Sequence, residues 1–288
     1  MSKQRQWHCI LVGAWVGVSF TPFTLAQPAS TCGEDERDEV ATLLQQWQRP
    51  DLPVENVALF DAQGCLIDLF LDGQDLQGPI PAAIGEFPRL QSLSLSNNEL
   101  TGLIPPDLGH LQSLQVLYLD FNQLRGSLPA ELGQLSQLQG LFLDHNQLTG
   151  PIPPELGQLQ NLQNLILQHN QLSGSIPLEL TQLPDLEGLF LSYNRLSGPL
   201  PAQLAQLDAL KNLYLSGNQF TGQIPPQLAD LSDLKDLRLD ANQFEGAFPL
   251  EFAAVTQLEV LKIEGNQGLC LPTELQDRPW YQAEWSCL

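Results

Sequence analysis

The chain has 288 residues, with 33 Asp and Glu against 12 Lys and Arg, and its formal net charge is −21 at pH 7. Recognition of nucleic-acid phosphates needs a cationic surface that displaces counterions, and the field of this chain would repel a polyanion. We therefore expect no nucleic-acid partner, whereas a basic partner would be attracted.

The first 26 residues have the pattern of an export signal. Lys3 and Arg5 supply positive charge, and an apolar run extends from Ile10 to Phe20. The small residue Ala26 follows this run at a plausible cleavage point. The run is shorter than the roughly 20 apolar residues of a membrane anchor, and no later stretch is long enough to cross a bilayer. We expect cleavage near Ala26 and a mature chain without a transmembrane span, either secreted or in the periplasm or cell envelope.

Four cysteines remain when Cys9 leaves with the signal. Cys32 and Cys65 lie at the front of the mature chain, and Cys270 and Cys287 lie at its back. Four cysteines allow three pairings, and the spacing favours one bridge at each end. Export makes disulfides chemically reasonable. No Cys-x-x-Cys occurs, so we do not expect such a pair to bind metal.

Between these ends the chain repeats every 24 residues without an insertion. Apolar columns run from Leu69 to Leu261 and from Leu71 to Ile263, an asparagine column from Asn98 to Asn266, a glycine column from Gly78 to Gly246, and a proline column from Pro81 to Pro249. The unit is LxxLxLxxNxLxGxIPxxLxxL. Because one unit cannot bury its own leucines, stacking of neighbours must do so.

Each column has a physical reason. Leu117 and Leu119 place two apolar side chains on one face of a short strand, and Tyr118 between them faces out. The chain turns away at Asn, whose amide both donates and accepts and so satisfies backbone groups inside the turn. Gly permits dihedrals or close approaches that are closed to other residues, and Pro fixes the returning segment. The stretch after Pro is long enough for only a turn or two of helix.

This unit resembles the plant-type leucine-rich repeat of polygalacturonase-inhibiting proteins and of the outer domains of plant receptor kinases. The resemblance covers roughly residues 34 to 287, and seven consecutive units carry Asn, Gly and Pro in register. It implies an α/β repeat solenoid, a leucine-rich-repeat superhelix with parallel strands on the concave face and short helical or 3-10 turns on the convex face. It also implies ligand binding on the concave face.

A solenoid needs caps that cover its terminal leucines. Val40, Leu44 and Trp47 recur at helical spacing in front of the repeats. The family usually has a cysteine near Phe60, whereas this chain has Cys65. The expected segments are a signal peptide (1–26), an N-terminal capping region (27–65), nine 24-residue repeats (66–269) and a C-terminal cap (270–288).

The outward positions of the central strands carry the residues that we expect to bind a ligand. An aromatic or aliphatic column lies beside a polar, partly acidic column, and a second aromatic column follows. The predicted binding residues are Tyr118, Asp120, Phe121, Phe142, Asp144, His145, Ile166, His169, Phe190, Tyr193 and Tyr214. An aromatic strip bordered by acids is typical of a protein-binding surface, although aromatic side chains also favour strands in general.

Two histidines raise the question of a metal site. His145 and His169 occupy one position in adjacent repeats, where they would stack at about the 4.8 Å strand spacing, and Asp120 and Asp144 lie nearby. Two stacked surface histidines without a clear third ligand are more often simple contacts than a metal site. We expect no metal and no cofactor. The sequence also lacks a nucleophile, base or metal motif of an enzyme, so we expect no catalysis.

These features favour a binding module that recognises an extracellular protein or peptide on its concave face. The family resemblance narrows the function to this recognition, and an inhibitor-like or co-receptor-like role is compatible with it. The alternative is a structural or adhesive envelope protein that binds glycan, such as cell-wall polysaccharide, or associates with itself.

Overall fold

The structure is a computed structural model that describes residues 32, 35–275 and 277–280. The predicted export signal and Cys287 lie outside these residues. The boundaries between the four predicted segments therefore stay predictions.

The N-terminal region begins with an α-helix, α1 (Arg37–Gln46), and continues with a one-turn helix, α2 (Val54–Val57). The side chains predicted at helical spacing face the interior, and Val40 and Trp47 are at most 2% exposed. Trp47 Nε1 donates a hydrogen bond of 3.0 Å to the carbonyl oxygen of Pro79. This bond ties the helical region to the first repeat.

The repeats are built from short strands. In the part of the chain that the structure describes, they are β1 (Ala58–Phe60), β2 (Leu66–Phe70), β3 (Gln77–Gly78), β4 (Ser92–Ser94), β5 (Glu99–Gly102), β6 (Val116–Tyr118), β7 (Gln123–Gly126), β8 (Gly140–Phe142), β9 (Gln147–Gly150), β10 (Asn164–Ile166), β11 (Gln171–Gly174), β12 (Gly188–Phe190), β13 (Arg195–Gly198), β14 (Asn212–Tyr214), β15 (Gln219–Gly222), β16 (Asp236–Arg238), β17 (Gln243–Ala247), β18 (Val260–Lys262) and β19 (Gly268–Cys270). Each repeat thus contributes a strand at its leucine pair and a second strand after its asparagine.

A short 3-10 helix follows the proline of each repeat. The 3-10 helices are η1 (Ala82–Glu86), η2 (Pro106–His110), η3 (Ala130–Gln134), η4 (Pro154–Gln158), η5 (Leu178–Gln182), η6 (Ala202–Gln206), η7 (Pro226–Asp230), η8 (Leu250–Ala254) and η9 (Thr273–Leu275). The proline before each of the first eight has φ between −61° and −69°. Proline therefore keeps the backbone extended just before each of these 3-10 helices.

The strands form two sheets. The first has ten strands in the order β1-β2-β4-β6-β8-β10-β12-β14-β16-β18, and the second has nine in the order β19-β17-β15-β13-β11-β9-β7-β5-β3. Strands of the ten-stranded sheet pair in parallel, and Leu117 of β6 lies opposite Leu141 of β8. The exception is β1, which pairs antiparallel with β2. The predicted solenoid of parallel strands and 3-10 turns is confirmed.

The leucine columns form one continuous core between the sheets and the 3-10 helices. Leu117 and Leu119 of one repeat, and Leu141 and Leu143 of the next, are all 0% exposed. Burial of each such side chain contributes about 1.5–3 kcal/mol relative to exposure. The repeats therefore depend on one another for most of their stability.

The asparagine column forms the predicted ladder. Asn146 Nδ2 donates to the carbonyl oxygen of Leu119 in the preceding repeat at 2.9 Å and to that of Leu143 at 3.1 Å. Its Oδ1 accepts from the amide of Leu124 at 2.9 Å. One side chain thus satisfies backbone groups of two repeats, and the same pattern recurs at Asn170.

Cys32 and Cys65 form the disulfide predicted for the front of the chain, with Cα atoms 5.6 Å apart. Cys270 is also disulfide-bonded, and its partner lies outside the described residues. Among the described residues, no helix is long and apolar enough to cross a membrane.

Candidate binding surface

One side of the ten-stranded sheet carries the side chains that alternate with the buried leucines. In the third repeat these side chains belong to Val116, Tyr118, Asp120 and, at the turn, Phe121. We call the surface formed by these four positions in every repeat the strand face. All the predicted ligand-binding residues lie on it.

The middle residues of the strands form a packed row on the strand face. Phe142, Ile166 and Phe190 are only 8%, 7% and 1% exposed, whereas Tyr118 and Tyr214 at the two ends are half-buried. Tyr118 stacks on Phe142 at a ring-centroid distance of 4.4 Å, and Phe190 meets Tyr214 edge to face at 4.7 Å. The expectation that the whole row is open to a partner is therefore wrong for its three central residues, because neighbours one strand away cover them.

Two glycines make room for the phenylalanine rings of this row. Gly140 lies two residues before Phe142, and Gly188 lies two residues before Phe190. A Cβ atom at either glycine would collide with the ring of its phenylalanine. Each ring therefore leans back along its own strand, and the two Gly-x-Phe sequences, 48 residues apart, are the sequence signal for this arrangement.

The exposed aromatic side chains lie instead at the turn position that follows each strand. Phe121, His145, His169 and Tyr193 form a continuous aromatic stack with ring centroids 4.1, 4.2 and 4.5 Å apart. Phe121 is 41% exposed and Tyr193 is 53% exposed. The predicted stacking of the two histidines is confirmed. Because ring faces cover one another, the aromatic stack presents mainly ring edges to solvent.

All four residues of the aromatic stack have left-handed backbone conformations, with φ between 51° and 58°. Bulky residues rarely adopt this region. Asn97 and Ala241 have the same conformation at this position of other repeats, so the left-handed turn belongs to the repeat itself. Gly73, Gly217 and Gly265 occupy the same column with positive φ, and these glycines are the signal from which the turn geometry could have been predicted. At Gly217 a Cβ atom would lie 2.7 Å from Tyr193 Cδ1, so the glycine leaves the space that the tyrosine ring uses.

Two carboxylates adjoin the aromatic stack. Asp144 Oδ2 lies 2.8 Å from His145 Nδ1, and Asp120, which is 6% exposed, accepts a hydrogen bond of 2.5 Å from Ser96 Oγ. Burial raises the pKa of Asp120 to about 6, and the charge of Asp144 raises it further against the effect of the Ser96 bond. Burial also raises the pKa of Asp144.

Burial has the opposite effect on the pKa of His169, because it disfavours the protonated imidazole. Burial lowers the pKa of His169, the charge of His145 lowers it further, and the charge of Asp144 raises it. Among the described residues, no group of three or more His, Cys, Asp or Glu side chains is placed to hold a metal ion.

The C-terminal end of the strand face contains a residue that sequence reasoning did not include in the site. The guanidinium of Arg238 lies over the ring of Tyr214, 4.2 Å from its centroid, and forms two hydrogen bonds to Asp236. Tyr214 Oη donates to the same carboxylate at 2.7 Å, and burial raises the pKa of Tyr214. A depression of about 530 Å³ lies beside this cluster, between Tyr193 and Lys262.

The charges of the strand face are unevenly distributed. From β2 to β14, its described positions carry four acids, Asp68, Asp72, Asp120 and Asp144, and no Lys or Arg. Lys and Arg enter only with β16 and β18. These four acids belong to the repeats of β2, β6 and β8, where Asp144 adjoins His145 and Asp120 accepts a hydrogen bond from Ser96.

Family models for the leucine-rich repeat match residues 68–124 and 160–220, and a second such model matches residues 137–159. A solved leucine-rich-repeat protein of Leptospira interrogans is 32% identical, with 87% of this chain and 68% of that chain covered and a TM-score of 0.61. The chain belongs to the leucine-rich-repeat family. Its Asn, Gly and Pro columns make it a protein of the plant type.

Plant receptor ectodomains are also similar to this leucine-rich-repeat protein. The ectodomain of the membrane receptor kinase GASSHO1/SCHENGEN3 from Arabidopsis thaliana, solved with CASPARIAN STRIP INTEGRITY FACTOR 2, is 36% identical over 78% of this chain, with a TM-score of 0.69. The Arabidopsis HAESA ectodomain, solved with an extended IDA peptide hormone, is 32% identical over 82%, with a TM-score of 0.71. The chain spans 30% and 42% of their lengths. A search of the curated proteins found no match.

Proposed function

We propose that this leucine-rich-repeat protein is an extracellular binding module that holds a protein or peptide against its strand face. The observation that carries the proposal is the aromatic stack from Phe121 to Tyr193, in which four ring-bearing residues lie beside two carboxylates. Aromatic residues are enriched at protein interfaces. The HAESA ectodomain was solved with an IDA peptide hormone, and the GASSHO1/SCHENGEN3 ectodomain with CASPARIAN STRIP INTEGRITY FACTOR 2. These complexes support a protein or peptide as the partner.

A positively charged partner fits the strand face better than an acidic one. The four acids between β2 and β14 would attract Lys or Arg side chains and speed their approach at low salt. An inhibitor-like or co-receptor-like role follows if the captured protein is an enzyme or a membrane receptor. We propose binding rather than catalysis, because the sequence lacks the nucleophile, base or metal motif of an enzyme.

The proposed location is outside the cytoplasm, either secreted or in the periplasm or cell envelope. The disulfide between Cys32 and Cys65 supports an oxidising compartment. The test is N-terminal sequencing of the exported protein, for which we expect a start close to Gln27. A start at Met1 in the exported fraction would contradict processing near Ala26.

Affinity capture with the mature chain as bait tests the function. The bait variant carries Tyr118→Ala, Phe121→Ala and Tyr193→Ala on the strand face, and the matched control carries Leu103→Ala, Leu178→Ala and Leu250→Ala, three leucines 51–62% exposed elsewhere. We expect the native chain and the control to retain the same protein from an extracellular extract and the strand-face variant to lose it. Equal retention by all three baits would exclude the strand face as the binding surface.

The glycan or self-association alternative is tested on the same preparations. Light scattering reports the oligomeric state, and a column of cell-wall polysaccharide reports glycan binding. A monodisperse monomer that passes the column unretained leaves protein binding as the function. Retention that survives in the strand-face variant would instead favour the adhesive role.

A further inference from the structure

We propose that the depression between Tyr193 and Lys262 is a separate binding site that takes a short neutral oligosaccharide. This inference goes beyond the proposed function, because it adds a ligand of another class to the protein or peptide proposed for the aromatic stack. The end of the stack, the floor of the depression, its polar walls and its charge balance support it in turn.

The aromatic stack ends at Tyr193 because the next three turn positions carry nothing larger than a methyl group. These positions, on the repeats of β14, β16 and β18, are Gly217, Ala241 and Gly265. His169 covers one face of the Tyr193 ring at a centroid distance of 4.5 Å. The opposite face lies over Gly217, where a Cβ atom would come within 2.7 Å of Tyr193 Cδ1. Tyr193 is 53% exposed, so this second ring face is open to a ligand.

The small turn residues form the floor of the depression beyond the Tyr193 ring. From Tyr193 to Gly265 this floor spans three strand spacings, about 14 Å, and the volume of about 530 Å³ is typical of a small-ligand site. A pyranose ring has faces of C–H groups and a rim of hydroxyl groups. Its apolar face can pack on the electron-rich face of the Tyr193 ring. Because the floor is longer than one such ring, the ligand has more than one sugar unit.

The walls place hydrogen-bond acceptors and donors side by side. Asp240 Oδ1 accepts a hydrogen bond of 2.5 Å from Ser216 Oγ, and a carboxylate has further lone pairs that can accept from a ligand. Arg238 forms two hydrogen bonds to Asp236, and a guanidinium has more N–H groups than these two bonds use. A sugar hydroxyl both donates and accepts, so neighbouring hydroxyls can bind both groups. An aromatic ligand without hydroxyls would desolvate the same groups and leave them without partners.

The charges around the depression nearly cancel, which disfavours a charged ligand. The guanidinium of Arg238 is paired with Asp236, and Lys262 Nζ lies 3.4 Å from Glu264 Oε1. Asp240 adds one negative charge to these two pairs. A uronate would be repelled by this excess, whereas a neutral sugar forms charge-assisted hydrogen bonds without Coulomb repulsion.

Isothermal titration calorimetry of the full chain with three trisaccharides tests the proposal. Cellotriose and triacetylchitotriose are neutral and carry equatorial ring substituents, and trigalacturonate has the same length with a carboxylate on every ring. Cellotriose represents a glucan, and triacetylchitotriose represents a glycan that contains N-acetylglucosamine, so the tighter of the two identifies the source. We expect at least one neutral trisaccharide to bind about tenfold more tightly than trigalacturonate. No binding of either neutral trisaccharide, or tighter binding of trigalacturonate, would overturn the proposal.

A histidine in place of Gly217 tests the open face of Tyr193. Gly217→His places a ring at the next position of the column, so it should cover this face and weaken the neutral trisaccharide about tenfold. The matched control is Gly73→His, which introduces the same side chain at the same turn position of the first repeat, where φ is also positive. It should leave the affinity unchanged, and circular dichroism checks that both variants fold. Equal affinities of the two variants would overturn the location.

A second pair of variants tests the polar wall. Asp240→Ala removes the carboxylate beside Arg238 and should weaken the neutral trisaccharide about tenfold, because a hydrogen bond to a charged group is lost. Asp233→Ala removes the same charge at an exposed position away from the strand face and should leave the affinity unchanged. Equal effects at Asp240 and Asp233 would contradict a direct contact with the sugar.

Gly217→His also separates this inference from the proposed function. The variant keeps Phe121 and Tyr193, so it should still capture the protein partner from extract after it has lost the sugar. Absence of sugar binding together with strand-face-dependent capture would reject this inference but not the proposed function. Sugar binding without any captured protein would reject the proposed function but not this inference.

Discussion

The imidazole of His145 stacks on that of His169 at a centroid distance of 4.2 Å and an interplanar angle of 27°. Asp144 adjoins His145 at 2.8 Å. The charge of His145 lowers the pKa of His169, and the charge of Asp144, one strand away, raises it. The pKa of His169 therefore reports on the aromatic stack.

The first prediction concerns the pKa of His169. In NMR titrations of the imidazole, we expect its midpoint below that of an unburied histidine, because burial and His145 both disfavour its charge. His145→Gln should raise this pKa, and Asp144→Asn should lower it further. Since the folded pKa lies below the unfolded one, His169 should reduce stability as the pH falls below about 6.5. Shifts of the same sign in both variants would contradict the geometry.

A second prediction concerns Asp120, whose pKa of about 6 in the folded protein exceeds the ordinary value of 3.8. Above pH 6 the buried charge opposes folding, and this cost disappears as the pH falls toward 4. Asp120→Asn should therefore raise the free energy of unfolding at pH 7.5 by at most about 3 kcal/mol and have little effect at pH 4. Urea unfolding at both pH values, with Asp233→Asn as the exposed control, checks this. A lower free energy of unfolding for Asp120→Asn at pH 7.5 would show that the Asp120 carboxylate stabilises the folded protein.

Gly140 is the subject of the third prediction. A Cβ atom there would lie 2.5 Å from Phe142 Cε2, so Gly140→Ala should reduce the free energy of unfolding by about 1–3 kcal/mol through overpacking. Adding Phe142→Ala should remove this extra cost, because the ring no longer occupies the space. The double-mutant cycle isolates the contact. Additive losses would show that the glycine is required for another reason.

The asparagine ladder yields the fourth prediction. Asn170→Ala removes three hydrogen bonds, to Leu143 O, Leu167 O and Gln168 O, and one from the amide of Leu148. Buried groups left without partners cost about 1–3 kcal/mol each, so we expect a loss of at least about 3 kcal/mol in urea unfolding. Asn161→Ala, which removes one exposed bond to Ser136 O, should cost no more than about 0.5 kcal/mol. Similar losses at both positions would argue against the ladder.

Much of the fold could be predicted from the sequence because the 24-residue period leaves little freedom. Leucines two apart define strands, Asn closes each turn, and stacking is the only way for such short units to bury their apolar side chains. The stacking of His145 on His169 also followed from the period, since equivalent positions of adjacent parallel strands lie about 4.8 Å apart. Local rules repeated in register determine these features.

The exposure of individual residues on the strand face was decided only by the tertiary structure. Phe142, Ile166 and Phe190 occupy outward positions, yet lateral neighbours cover them, whereas the left-handed turn leaves Tyr193 and Phe121 open. Arg238 contacts Tyr214 of the adjacent strand and Asp236 of its own strand. A repeat pattern fixes the direction in which a side chain leaves the backbone. Its accessible surface depends on the size and tilt of side chains one repeat away, and that depends on packing in three dimensions.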